Sequence, residues 1–104
     1  MASWYVYIAR CADDTLYCGI TNDLTGRMSA HSAGKGAKYT RTRGPVELVF
    51  VRRCRDKRIA LRLEHQIKQL TRIEKDDLVA RPARIEPLAR RAHRELRAAI
   101  LDTR

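Results

Sequence analysis

Residues 4–10 divide with period two, Tyr5 and Tyr7 falling on one side and Trp4, Val6 and Ile8 on the other, which is the signature of a strand. Ala12-Asp13-Asp14-Thr15 is turn chemistry, and it folds a second strand over 16–20 back along the first, bringing Tyr17 near Tyr7. Gly19 in that strand allows a close approach to its backbone. Thr21 or Asn22 can cap a helix over 23–33, with Leu24 and Met28 as apolar contacts and Gly34 as its C-cap. Residues 34–45, GKGAKYTRTRGP, have no apolar period and read as an exposed loop with one helical turn around Tyr39.

The β-branched run 46–54 predicts a third strand, with Leu48 and Phe50 on one face and Val49 and Val51 on the other. Asp56 then caps a helix through residue 70, in which Ala60, Leu63, Ile67 and Leu70 form a buried stripe with Glu64 just beside it. Thr71-Arg72-Ile73-Glu74 is a capping box, so a further short helix runs to about residue 80. Pro82 and Pro87 bracket a linker, and a last helix to about residue 101 places Leu88, Ala92, Leu96 and Ile100 along one side and Arg90, Arg91, Arg94 and Arg97 around the rest. The predicted fold is α+β: a small three-stranded antiparallel sheet flanked by helices, in β-β-α-β-α order, with an extra C-terminal helix. Residues 1–80 form the functional domain, and 81–104 are a linker and an Arg-rich amphipathic helix packed on it or extending it.

Charge narrows the partners. The 104 residues hold 22 Lys and Arg against 12 Asp and Glu, a formal charge of +10, which favours a polyanion. The cations also cluster: Lys35, Lys38, Arg41 and Arg43 crowd one loop, and Arg52, Arg53, Arg55, Lys57 and Arg58 follow the third strand. Nucleic acid is the expected partner. Cys11, Cys18 and Cys54 are odd in number and lack C-x-x-C spacing, so they read as packed thiols and not as a disulfide framework or zinc ribbon. No apolar run approaches a membrane span and the start lacks a signal-peptide pattern, so a cytoplasmic protein with no membrane partner is expected.

Tyr7, the Tyr17-Cys18-Gly19 triplet ten residues later, Arg27 ten after that, His31, and Glu64 on a later helix together resemble the GIY-YIG nuclease superfamily, in particular its small stand-alone bacterial members with a URI-type domain. The resemblance covers residues 4–79. Here the first triplet reads Tyr5-Val6-Tyr7, and no asparagine follows Glu64 where many members place one.

The resemblance implies a phosphodiesterase acting on nucleic acid, DNA in preference to RNA, with one Mg²⁺ or Mn²⁺ held by Glu64. It casts Tyr7 as general base, although a free phenol, with a pKa of about 10, needs neighbouring charge to serve at neutral pH. Tyr17 donates a hydrogen bond within the site. Arg27 offers the phosphate a guanidinium fork, and His31, four residues on and on the same helical face, orients water or a tyrosine or relays a proton. Lys35, Lys38, Tyr39, Arg41 and Arg43 are candidates for the nucleic-acid backbone. Each residue alone has a plainer reading: Glu64 could simply pair with Lys68, and strand tyrosines usually pack. Nothing resembles a recognition helix, so weakly sequence-specific cutting, in DNA repair or processing, is expected. Two rival readings are a non-catalytic basic nucleic-acid-binding module with the same fold, and an accessory protein whose last helix docks on an RNA or protein partner.

Overall fold

The computed structural model describes residues 3–32 and 46–102, the side chains of 30–32 and 102 excepted. Strands β1 (Trp4–Cys11), β2 (Leu16–Thr21) and β3 (Val46–Cys54) form one antiparallel sheet in the order β2-β1-β3. Helix α1 (Leu24–Ser32) lies between β2 and β3 in sequence; α2 (Lys57–Lys68), α3 (Arg72–Ala80), a single 3-10 turn (Pro82–Arg84) and α4 (Ile85–Asp102) follow the sheet. This is the expected α+β order, with the linker tightened into a turn that runs straight into the last helix.

The β1–β2 hairpin closes through a short loop. Asp14 donates its N–H to the Cys11 carbonyl (2.9 Å), Cys11 donates to that of Thr15 (2.8 Å), and Asp14 takes a left-handed φ of 67° that closes the turn. Asp13 Oδ1 accepts from both the Thr15 N–H (3.2 Å) and its hydroxyl (2.6 Å), so the loop's polar groups are answered locally. The resulting register sets Tyr7 opposite Gly19 on one side and Val51 on the other.

The sheet has two unlike faces because its residues alternate. Val6, Ile8, Cys18, Phe50 and Cys54 face the helices, where Ile59, Ala60, Leu63 and Ile67 of α2, Leu78 of α3, and Ile85, Ala89 and Ala92 of α4 complete the core. Tyr5, Tyr7, Tyr17 and Gly19 point to the other face. Burying side chains the size of Leu63 and Ile67 contributes about 1.5–3 kcal/mol each.

Both caps downstream of the sheet take the form expected of them. Asp56 accepts the Ile59 N–H at 3.0 Å, starting α2, and Thr71 and Glu74 form a reciprocal capping box that starts α3. Three expectations are corrected. Asp23, not Thr21 or Asn22, caps α1: its carboxylate accepts the Gly26 N–H at 3.1 Å, while Thr21 uses its hydroxyl to hold the Asp23 N–H at 3.0 Å. In β3 the register slips between Ile8 and Ala9, so that Ile8 pairs with Phe50 but Ala9 pairs with Leu48. This bulge at Val49 puts Leu48 and Phe50 on opposite faces, leaving Leu48 exposed and Phe50 buried. In α4 the buried seam is Ile85, Ala89 and Ala92, with Leu88 and Leu96 half-buried and Ile100, near the end of the helix, exposed.

Candidate active site on the tyrosine face

Tyr7 occupies the middle of the central strand and is 1% exposed. Its ring lies 6.3 Å from that of Tyr17, tilted by 44°, an approach the hairpin register creates by setting Tyr17 beside Ala9. Gly19 makes the remaining room. A Cβ at that position would fall 2.7 Å from the Tyr7 hydroxyl oxygen, 2.9 Å from Tyr7 Cζ and 3.0 Å from the Tyr17 ring. The requirement is one of space and not of backbone conformation.

Two charges reach Tyr7 from distant parts of the chain. Arg27 lies in the first turn of α1, its N–H bonded to the Asp23 carbonyl at 2.9 Å, and its side chain is exposed. Glu64 lies in α2 beside the buried stripe, half-buried, with its carboxylate 3.5 Å from Lys68 Nζ. Helix α2 packs beneath the sheet, yet the Glu64 charge is felt on both faces: by Cys18, which points into the core, and by Tyr7, which points away from it.

Burial pushes the Tyr7 phenol well above its ordinary range, with Tyr17 adding to the rise; Arg27 opposes it, and Cys18 and Glu64 add a little more. With the protein's own groups alone, Tyr7 is therefore a protonated phenol, a hydrogen-bond donor. Burial likewise pushes the Cys18 thiol up to about 12, with Glu64 adding to the rise and Lys68 and Lys75 opposing it. Cys18 is thus an inert packing thiol at neutral pH, as its sequence context implied.

Of the five expected catalytic positions, Tyr17, Arg27 and Glu64 thus bear on the phenol of a fourth, Tyr7. His31 follows Arg27 by four residues within α1, and its side chain lies outside the described residues, as do Lys35, Lys38, Tyr39, Arg41 and Arg43 in full. Of the cations expected to follow the third strand, Arg52 and Arg53 lie within β3: Arg52 pairs with Glu86 of α4 and Arg53 Nε donates to Ser3 Oγ at 2.9 Å, while Lys57 Nζ in α2 stands 5.2 Å from the Trp4 ring. Arg52 and Lys57 thereby help tie the helices to the sheet. The sequence reading missed Lys75. It comes from α3, and no periodicity within α2 could have placed its charge near Cys18.

Among the described residues no three of His, Cys, Asp or Glu gather as a ligand cluster. A closed cage of protein ligands, as a structural zinc or calcium site requires, is thus not formed there. A single half-buried carboxylate whose charge reaches the Tyr7 phenol fits an ion of the Mg²⁺ type, which keeps most of its water shell.

This arrangement, three antiparallel strands carrying two facing tyrosines, a helix arginine and a glutamate from the helix after the sheet, is that of a nuclease-type catalytic domain. Residues 3–76 match the family model described as the GIY-YIG catalytic domain, and the chain belongs to that family. It is 49% identical over 86 residues to the UPF0213 protein VC_A0739 of Vibrio cholerae, covering 82% of this chain and 85% of that one. It is 44% identical over 88 residues to the UPF0213 protein YhbQ of Salmonella typhimurium, covering 85% and 88%. The solution NMR structure of the UPF0213 protein BH0048 from Bacillus halodurans superposes with a TM-score of 0.50 at 45% identity, over 75% of this chain and 83% of that one. The chain is therefore similar to small proteins of the same length class, and the family it shares with them acts on nucleic acid, generally with a divalent metal.

Proposed function

We propose that this chain is a metal-dependent endonuclease that hydrolyses phosphodiester bonds in DNA with weak sequence preference, leaving a 5′-phosphate and a 3′-hydroxyl. The observation that supports this reading best is that Tyr7 and Tyr17 stand with ring centroids 6.3 Å apart over the backbone of Gly19, in a chain whose residues 3–76 match the GIY-YIG catalytic domain.

Hydrolysis needs a proton taken from water, positive charge against the phosphate oxygens, and stabilisation of the leaving oxygen. Glu64 would hold one divalent ion, and that ion supplies Lewis-acid charge at the phosphate and the leaving oxygen when bound. Arg27, exposed at the rim, presents its fork to the non-bridging oxygens and keeps its charge across the working pH range. Tyr7 contacts the attacking water as a hydrogen-bond partner and takes its proton once the phenol itself is ionised. Arg27 already pulls toward that ionisation, and burial opposes it, so the base is active in a small fraction of molecules near neutrality. Tyr17 fixes the orientation of Tyr7, and His31 relays the proton. Lys35, Lys38, Tyr39, Arg41 and Arg43 hold the backbone of the substrate.

A second reading, a nucleic-acid-binding module without turnover, draws support from the raised Tyr7 phenol and from the Lys68 pairing with Glu64, which is the carboxylate's plain helical partner. A nicking assay separates the two. Supercoiled, single-stranded and branched DNA are incubated with and without Mg²⁺ or Mn²⁺; metal-dependent cleavage of at least one supports the enzyme, and tight binding of all three without cleavage supports the module.

A further inference from the structure

Away from the tyrosine face, α2 and α4 enclose an open groove of about 450 Å³ lined by Arg58, Leu61, Arg62, His65, Glu95 and Leu96. Its α2 wall lies within residues 3–76 and its α4 wall outside them, so the groove is completed only by the helix beyond the matched domain. Arg58, Arg62 and His65 recur at i, i+4 and i+7 and form one stripe, turned roughly 130° round the helix from Glu64 at 3.6 residues per turn. Among the described residues neither Arg58 nor Arg62 has an ion-pair partner. The one acid in the groove is already engaged: Glu95 accepts from the buried Gln66 amide at 3.0 Å and lies 3.6 Å from Arg91. Arg52 and Lys57, nearer the sheet, have partners of their own.

We propose that this groove is a second seat for the phosphodiester backbone of a nucleic-acid strand, distinct from the cleavage site and dependent on α4. It rests on the nucleic-acid reading above and extends it from one binding surface to two. Two guanidinium forks one helical turn apart, about 5–6 Å between Cβ atoms, suit successive phosphates on one strand, and each fork can bind a phosphate through two hydrogen bonds. Leu61, 44% exposed, and Leu96 give the sugars an apolar floor. That floor is too short for a protein helix, which needs anchors at i, i+3 or i+4, and i+7. The formal charge of +10 draws the same polyanion.

The test is fluorescence anisotropy of a labelled DNA duplex across a salt series, with the whole chain and with the Arg58→Gln/Arg62→Gln double variant, each checked for folding by circular dichroism. The double variant should bind more weakly, its slope of log affinity against log salt shallower by about 2, close to 0.9 for each phosphate that is no longer neutralised. Each single variant should show about half of that change. A folded double variant with unchanged affinity and slope overturns the second seat while leaving the nucleic-acid reading intact. If the variant fails to bind polyglutamate yet binds DNA as before, the groove belongs to an acidic protein segment and the proposal fails. If the unaltered chain binds no DNA or RNA at any salt, this proposal and the reading beneath it fall together.

Discussion

The Tyr7 ring lies against the backbone of Gly19, and a single added methyl there would meet the phenolic oxygen at 2.7 Å. No flexible tip can give way, because the same Cβ would also press on Tyr7 Cζ at 2.9 Å and on the Tyr17 ring at 3.0 Å. Gly19→Ala should therefore push both rings out of place in a protein that still folds. Nuclease activity should fall about a hundredfold, the cost of roughly 1 Å of misplacement, while DNA affinity measured by anisotropy changes little. Activity equal to that of the unaltered chain would show that the position of Tyr7 does not matter.

The raised Tyr7 phenol makes activity depend on pH. Because the ionised form is disfavoured, the cleavage rate should climb about tenfold per pH unit from neutrality to at least pH ~9, without a plateau. Tyr7→Phe should abolish that climb along with most of the rate. A rate that levels off near neutrality would assign the base to another group.

Stability should fall in alkali for the same physical reason. The Cys18 thiol has an ordinary value of 9.0 and is pushed up to about 12 by burial. The folded state thus keeps its proton where the unfolded chain gives it up. That contribution is complete below pH 9.0 and is lost as pH climbs toward about 12. Tyr7, raised from 10.0, adds its own loss above that value. Urea denaturation at stepped pH should show stability declining from about pH 9, and Cys18→Ala should remove the lower part of the decline.

The turn and cap residues give two stability tests. Asp14 holds φ at 67°, so Asp14→Gly should be more stable than Asp14→Ala by about 1 kcal/mol, since both remove the same exposed ion pairs and only alanine keeps the left-handed cost. Asp56→Ala should cost about 1 kcal/mol by orphaning the Ile59 N–H, whereas Asp56→Asn should cost little. Chemical denaturation measures both.

The element order could be read from the chain because its signals are local. Asp56 and the Thr71–Glu74 pair mark helix starts within four residues, and the Tyr5/Tyr7 alternation fixes which face of β1 carries the phenols. What escaped depends on packing partners. The Val49 bulge is a property of how β3 meets β1, invisible to a period-two reading of β3 alone. The seam of α4 depends on which elements pack against it, so Ile85 and Ala89 stand in the core and Ile100 does not. At the site, the family spacing singled out Tyr7, Tyr17, Arg27 and Glu64, but only the fold reveals that burial outweighs Arg27 at the Tyr7 hydroxyl.

The reading of the chain as a metal-dependent nuclease turns most directly on one carboxylate. Mg²⁺ titrated into supercoiled DNA with the unaltered chain and with Glu64→Ala, purified identically and matched for DNA affinity, is the decisive comparison. Metal-dependent nicking by the first and none by the second is the result predicted. Equal nicking by both, or none by either at any metal concentration, would contradict the account.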